Sequence, residues 1–145
     1  MPAKIIDHPL TLNIYGFSGI ALNRNYGAKA FELSGQMWNA IKSNSLKNKG
    51  QNIWVYEDDH RVFAGVEMDE PPPTSSGLEH KIIQLPRYGY YKHIGPYALM
   101  KQGNNKLLQH IAENGFNAGL PYIEIYGHWN KDESKLETEL IHAIG

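Results

Sequence analysis

The chain carries a copy of itself. Slid by 70 positions, the sequence places Leu12 on Ile82, Ala28 on Ala98, Ile41 on Ile111, Asn44 on Asn114, Ile53 on Ile123, Val55 on Ile125 and Tyr56 on Tyr126. Identities are few, but apolar positions and element types recur in the same order, as in a diverged duplication. A chain of 145 residues then fits one compact domain made of two half-size units sharing a core, with pseudo-repeats 10–69 and 80–144.

Each half reads as strand, helix, strand, strand. In the first, LTLNIYGFSGIAL (10–22) has strand character, and a helix over 28–43 places Phe31, Trp38 and Ile41 on one face. NIWVYED and RVFAGVEMD form a hairpin turned by Asp58, Asp59 and His60. The run EMDEPPPTSSG opposes helix and sheet alike, so residues 70–79 are expected to link the halves. In the second half, EHKIIQLPRYGYYKH reads as one long strand kinked or bulged at Pro86. Pro96 suits the first turn of a helix carrying Tyr97, Met100, Leu107, Leu108 and Ile111 and ending near Gly115, weakened by Gly103, Asn104 and Asn105. PYIEIYGHW and KLETELIHAI close the half as strands joined by NKDES.

The fold class is therefore α+β, an antiparallel sheet with two helices on one face. The aliphatic sets Ile53/Val55, Val62/Ala64/Val66 and Ile123/Ile125 are the natural candidates to meet the helices. In PYIEIYGHW, strand alternation then puts Tyr122, Glu124 and Tyr126 on the opposite face. Under the offset Glu124 matches Trp54, so that face collects Trp54, Tyr56, Tyr122, Glu124 and Tyr126, with Phe63 and Tyr15 pointing the same way. A solvated face would carry lysine, threonine and glutamate, whereas a dense set of rings marks a binding surface. Closure of these rings into a second small core is the competing arrangement, and it requires Glu124 to be hydrogen-bonded.

Charge and composition remove other classes. Fourteen Lys/Arg against fifteen Asp/Glu, with no basic cluster interleaved with aromatics, give no support for direct nucleic-acid binding. Without cysteine there is neither a disulfide framework nor a thiolate zinc site. His93, His110, His128 and His142 lack HxH or HxxxH spacing, so hydrogen-bonded or surface roles are expected and no metal or other cofactor is called for. Glu57, Asp58 and Asp59 read as a solvated turn, and there is no glycine-rich phosphate loop. The N-terminus MPAKIIDHPL lacks the apolar core of a signal peptide and no stretch is long enough to span a bilayer, so the expected location is the cytoplasm, away from membranes.

The run LPRYGYYKHIGPYALM, followed by an amphipathic helix and then by PYIEIYGHW, resembles the GyrI-like domain, the effector-binding domain of AraC-type and other bacterial transcription activators. ELSGQMWNAIKSNSLKNKGQNIWVYEDDHRVFAGVEM most resembles the single-domain, integron-associated branch. The resemblance covers essentially the whole chain. It implies a ligand cleft between the halves, lined by aromatics, with an acidic residue that selects cationic, lipophilic compounds. The family glutamate of the E-x-Tyr strand matches Glu124, followed by Tyr126, and Tyr97 matches the aromatic after His-x-Gly-Pro. No helix-turn-helix is recognisable in the sequence, so gene control would need a separate DNA-binding regulator. The resemblance also implies two other roles: a gyrase-binding module of the inhibitor kind, and a hydrolase of strained rings in which Glu124 works with a tyrosine. Physically, a carboxylate among rings loses hydration, and a bound cation restores the lost stabilisation, with each ring face adding about 0.5–2 kcal/mol.

Overall fold

The computed structural model describes residues 2–145. The order is β1 (Lys4–Ile6), β2 (Leu10–Ile20), α1 (Tyr26–Ser43), β3 (Ile53–Tyr56), β4 (Arg61–Glu67), β5 (Glu79–Leu85), β6 (Tyr88–Ile94), α2 (Met100–Glu113), β7 (Ala118–Tyr126) and β8 (Glu137–Ile144). The class is α+β with antiparallel pairing, and the chain divides into two compact units. Thr11–Gln84 holds α1 and strands ordered β3-β4-β2-β5. Leu85–Gly145, joined by the residues up to Leu10, holds α2 and strands ordered β7-β8-β6-β1. Among the described residues no helix is long and apolar enough to cross a membrane.

The two units repeat one pattern, but not at one offset. Ile53 pairs with Gly65, which pairs with Gly16; correspondingly Ile123 pairs with Ile141, which pairs with Tyr90. The spacing is thus 70 residues from Ile53 to Ile123, 76 from Gly65 to Ile141 and 74 from Gly16 to Tyr90. Two length changes account for this: α1 has 18 residues against 14 in α2, and the hairpin connection 57–60 grows by six in 127–136. A uniform slide therefore registers the helix ends and the strands just after them. It fails before the helices, where Leu12 of β2 is set on Ile82 of β5 although the counterpart strand is β6.

The edge strands cross over between the halves of the sequence. β1 pairs with β6, Ile5 opposite Gly89, while β5 lies beside β2, where Ser18 N–H and Oγ–H both donate to the Glu79 carboxylate at 3.2 and 2.6 Å. The unit boundary thus falls at Leu85, beyond the 70–79 linker expected to divide the chain. Pro86 does not kink one long strand; it separates β5 from β6, because proline has no N–H for the ladder.

Helix α1 buries Ala30, Leu33, Ser34, Met37 and Ile41, a stripe at helical spacing. Phe31, expected on that stripe, is 73% exposed because it sits one position out of phase with Ala30. Trp38 lies at the flank, its Nε1–H donating to Asn52 Oδ1 at 2.6 Å. The two helices end alike. Asn44 Nδ2 donates to Ala40 O and Asn114 Nδ2 to His110 O, both at 2.8 Å. One residue later Ser45 and Gly115 take the left-handed conformation, and Leu46 and Phe116 N–H return to Ile41 and Ile111 O.

Register decides which face each strand presents to its helix. Val62 and Ala64 pack with Ala30 and Leu33, as expected, but Trp54 stands opposite Ala64 and Tyr56 opposite Val62, so both aromatics join that cluster. Ile53 and Val55 therefore face away from α1, together with Phe63, which is opposite Val55. The other unit repeats this inversion. Leu140 packs with Leu107 and Ile111 of α2, and Glu124 is opposite Leu140, so Tyr122, Glu124 and Tyr126 lie on the helix side while Ile123 and Ile125 point away. Alternation along one strand tells which residues share a face; it does not tell how neighbouring strands are phased.

Candidate functional site

Three consecutive same-face positions on β7 build the centre of the candidate site. Tyr122 O–H donates to Glu124 Oε2 at 2.9 Å and Tyr126 O–H donates to Oε1 at 2.8 Å. Both carboxylate oxygens are thereby aimed by local geometry alone, since residues two apart on a strand are side-by-side neighbours. The two phenol hydroxyls orient the carboxylate as hydrogen-bond donors without adding a positive charge.

Each phenol is itself held from behind. The Tyr122 ring stacks on His142 of β8 with centroids 4.4 Å apart, and His142 Nε2 lies within a 2.8 Å hydrogen bond of Asn104 Oδ1 on α2. Asn104, a poor helix former, has its explanation in that bond. Burial lowers the pKa of His142, outweighing a backbone hydrogen bond with Gly119 that acts the other way. Tyr126 is met edge-on by Tyr97, centroids 5.5 Å apart at 82°.

The HIGPY sequence is the device that places Tyr97. His93 is buried on the helix side of β6, and its Nε2–H donates to the Pro96 carbonyl at 2.9 Å, which leaves Nδ1 toward α2. Gly95 takes φ +133°, and its N–H donates to Leu136 O at 2.8 Å. The turn tied down in this way delivers Tyr97 to Tyr126 ahead of α2. Gly103, the second weak point expected in α2, allows the helix to approach: a Cβ there would lie 2.9 Å from Tyr91 Cε1 and 3.3 Å from His93 Nδ1.

The other unit holds the counterpart pair. Tyr26, at the start of α1, meets Tyr56 edge-on with centroids 6.2 Å apart at 85°, and its hydroxyl is hydrogen-bonded to His60 Nδ1 at 2.6 Å. Trp54 occupies the place that Glu124 takes in the repeat. Of the expected site residues, the structure brings Glu124, Tyr122, Tyr126 and Tyr97 together in one unit and sets Trp54 and Tyr56 on the helix side of the other. Phe63 is on the reverse face, with the Lys81 ammonium 5.7 Å above its ring and Lys81 bound to Glu57 at 2.6 Å. Tyr15 is only 6% exposed, packed under Met37 and Ile41 and stacked on His80. Tyr26, His93, Asn104, Thr138 and His142 lie outside the set of site residues that the sequence pattern points to. For Tyr26 a signal existed, since a slide of 71 rather than 70 sets it on Tyr97; for the β8 residues there was none, because their neighbours come from sheet register. Among the described residues no group of three or more His, Asp and Glu is placed to hold a metal ion.

No family model and no curated protein matches the sequence. Among solved structures, the EcmrR C-terminal domain is similar with a TM-score of 0.71 at 17% identity, over 99% of this chain and 96% of that one. SAV2435, solved bound to tetraphenylphosphonium, is similar with a TM-score of 0.64 at 16% identity, over 100% and 94% of the two chains. An integron cassette protein from the mobile metagenome of Vibrio cholerae is similar with a TM-score of 0.61 at 15% identity, over 100% and 97%. The chain shares the fold of these three proteins.

Proposed function

We propose that the chain is a small-molecule binding protein of the effector-binding class, and that it takes lipophilic cations at Glu124. The observation that carries this reading is the carboxylate with each oxygen held by a tyrosine, on a face where Tyr97 adds a further ring. A fixed negative charge among ring faces attracts a cation by charge and by quadrupole, and demands few directional contacts from it. Tolerance of several ligand shapes follows. The bound tetraphenylphosphonium of the similarly folded SAV2435 supports the same ligand class.

Calorimetry with tetraphenylphosphonium and the neutral triphenylphosphine oxide tests the reading. Glu124→Gln is expected to weaken the phosphonium more than tenfold, because loss of one ion pair at a half-buried carboxylate is worth at least about 1.4 kcal/mol. The neutral compound should lose little. Equal losses for the two compounds would mean that Glu124 shapes the site without selecting charge, and unchanged cation binding would place the site elsewhere.

A further inference from the structure

Thr138 on β8 is fully buried, and among the described residues its Oγ1 has no hydrogen-bond partner. Such a group is unusual, since buried hydroxyls are almost always satisfied, and a valine would fill the same space without the need. Its position is specific. In the sheet register Thr138 stands directly between Tyr126 of β7 and His93 of β6, on the side facing α2. Glu124 is the diagonal neighbour on the same face, a separation of roughly 7–8 Å between such positions. The surrounding groups are otherwise engaged: Tyr126 O–H donates to Glu124, His93 Nε2–H to Pro96 O, and the turn after Pro96 presents Tyr97 against Tyr126.

We propose that Thr138 is a hydrogen-bonding contact of the ligand site, so that the preferred ligand carries, beside its positive charge, an oxygen or nitrogen group that reaches this hydroxyl. The inference rests on the reading of Glu124 as the cation-selecting residue and adds a second requirement to the ligand. A hydroxyl can donate or accept, so the matching group is an alcohol, phenol, ether or amide. Tyr97, 42% exposed and in edge contact with Tyr126, is the ring whose displacement would admit such a ligand.

The test compares tetraphenylphosphonium with the ortho, meta and para isomers of (hydroxyphenyl)triphenylphosphonium, titrated by calorimetry into wild type, Thr138→Val and Thr138→Ser. At least one isomer is expected to bind Thr138→Val about tenfold more weakly than wild type, while tetraphenylphosphonium binds both alike. Thr138→Ser, which keeps the hydroxyl, should restore the difference. Thr138→Val without ligand should melt no lower than wild type, because it removes an unsatisfied polar group, and this separates loss of a contact from loss of the fold. If wild type binds all four probes and Thr138→Val changes none of them selectively, the inference is overturned and the cation reading stands. If wild type binds none, both are overturned.

Discussion

Gly35 and Gly103 both interrupt helices, and the space around them predicts opposite results for the same substitution. A Cβ at Gly35 of α1 would meet nothing within 4 Å, so Gly35→Ala is expected to raise stability by about 0.5–1 kcal/mol through helix propensity alone. At Gly103 the same gain is opposed by a 2.9 Å contact with the Tyr91 ring and a 3.3 Å contact with His93. Moving those rings costs about 1–3 kcal/mol. Gly103→Ala should therefore lower the urea midpoint, and because His93 ties down the turn that carries Tyr97, it should also weaken phosphonium binding.

The helix ends and the β8 histidine make predictions at the scale of elements. Ser45 and Gly115 hold equivalent left-handed positions, φ 51° and 80°, but only one of them is glycine. Ser45→Gly should stabilise and Gly115→Ala destabilise, each by about 1 kcal/mol, in chemical unfolding. His142 couples β8 to α2 and to Tyr122, and burial depresses its pKa. The unfolded chain takes up the proton at a pH near 6.5 while the folded chain resists it, so the contribution of neutral His142 is fully present above that pH. It is lost progressively as pH falls toward the lowered folded value. Thermal midpoints between pH 7.5 and 5 should fall more steeply for wild type than for His142→Phe; identical slopes would show that His142 does not report on this packing.

For the whole molecule, the crossing of edge strands matters most. β1 is three residues long, yet it pairs with β6 and sets Ile5 against the Leu107, Ile111 and Leu140 cluster. Deleting residues 2–8 removes this half-buried isoleucine and uncovers an edge, at a cost of roughly 1–2 kcal/mol for the side chain alone. Hydrogen exchange is expected to quicken first in β6 and α2, distant in sequence from the deletion but adjacent in the sheet. If protection were lost first in β2, the strand that follows the deletion, the assignment of β1 to the second unit would be wrong.

The sequence alone determined whatever depends on neighbours along the chain. Both helices, the turn at Asp58, Asp59 and His60, and the shared face of Tyr122, Glu124 and Tyr126 were legible, because helical periodicity, turn geometry and strand alternation act over a few residues. The tertiary structure decided the rest. Whether Trp54 and Glu124 face the helices or turn away depends on how β3 and β7 are phased against β4 and β8, and one residue of slip reverses every side chain. Membership of β1 and β5 depends on which sheet edge lies open, which no local pattern records. Thr138 acquires its setting, between His93 and Tyr126, only when three strands separated in sequence come into register.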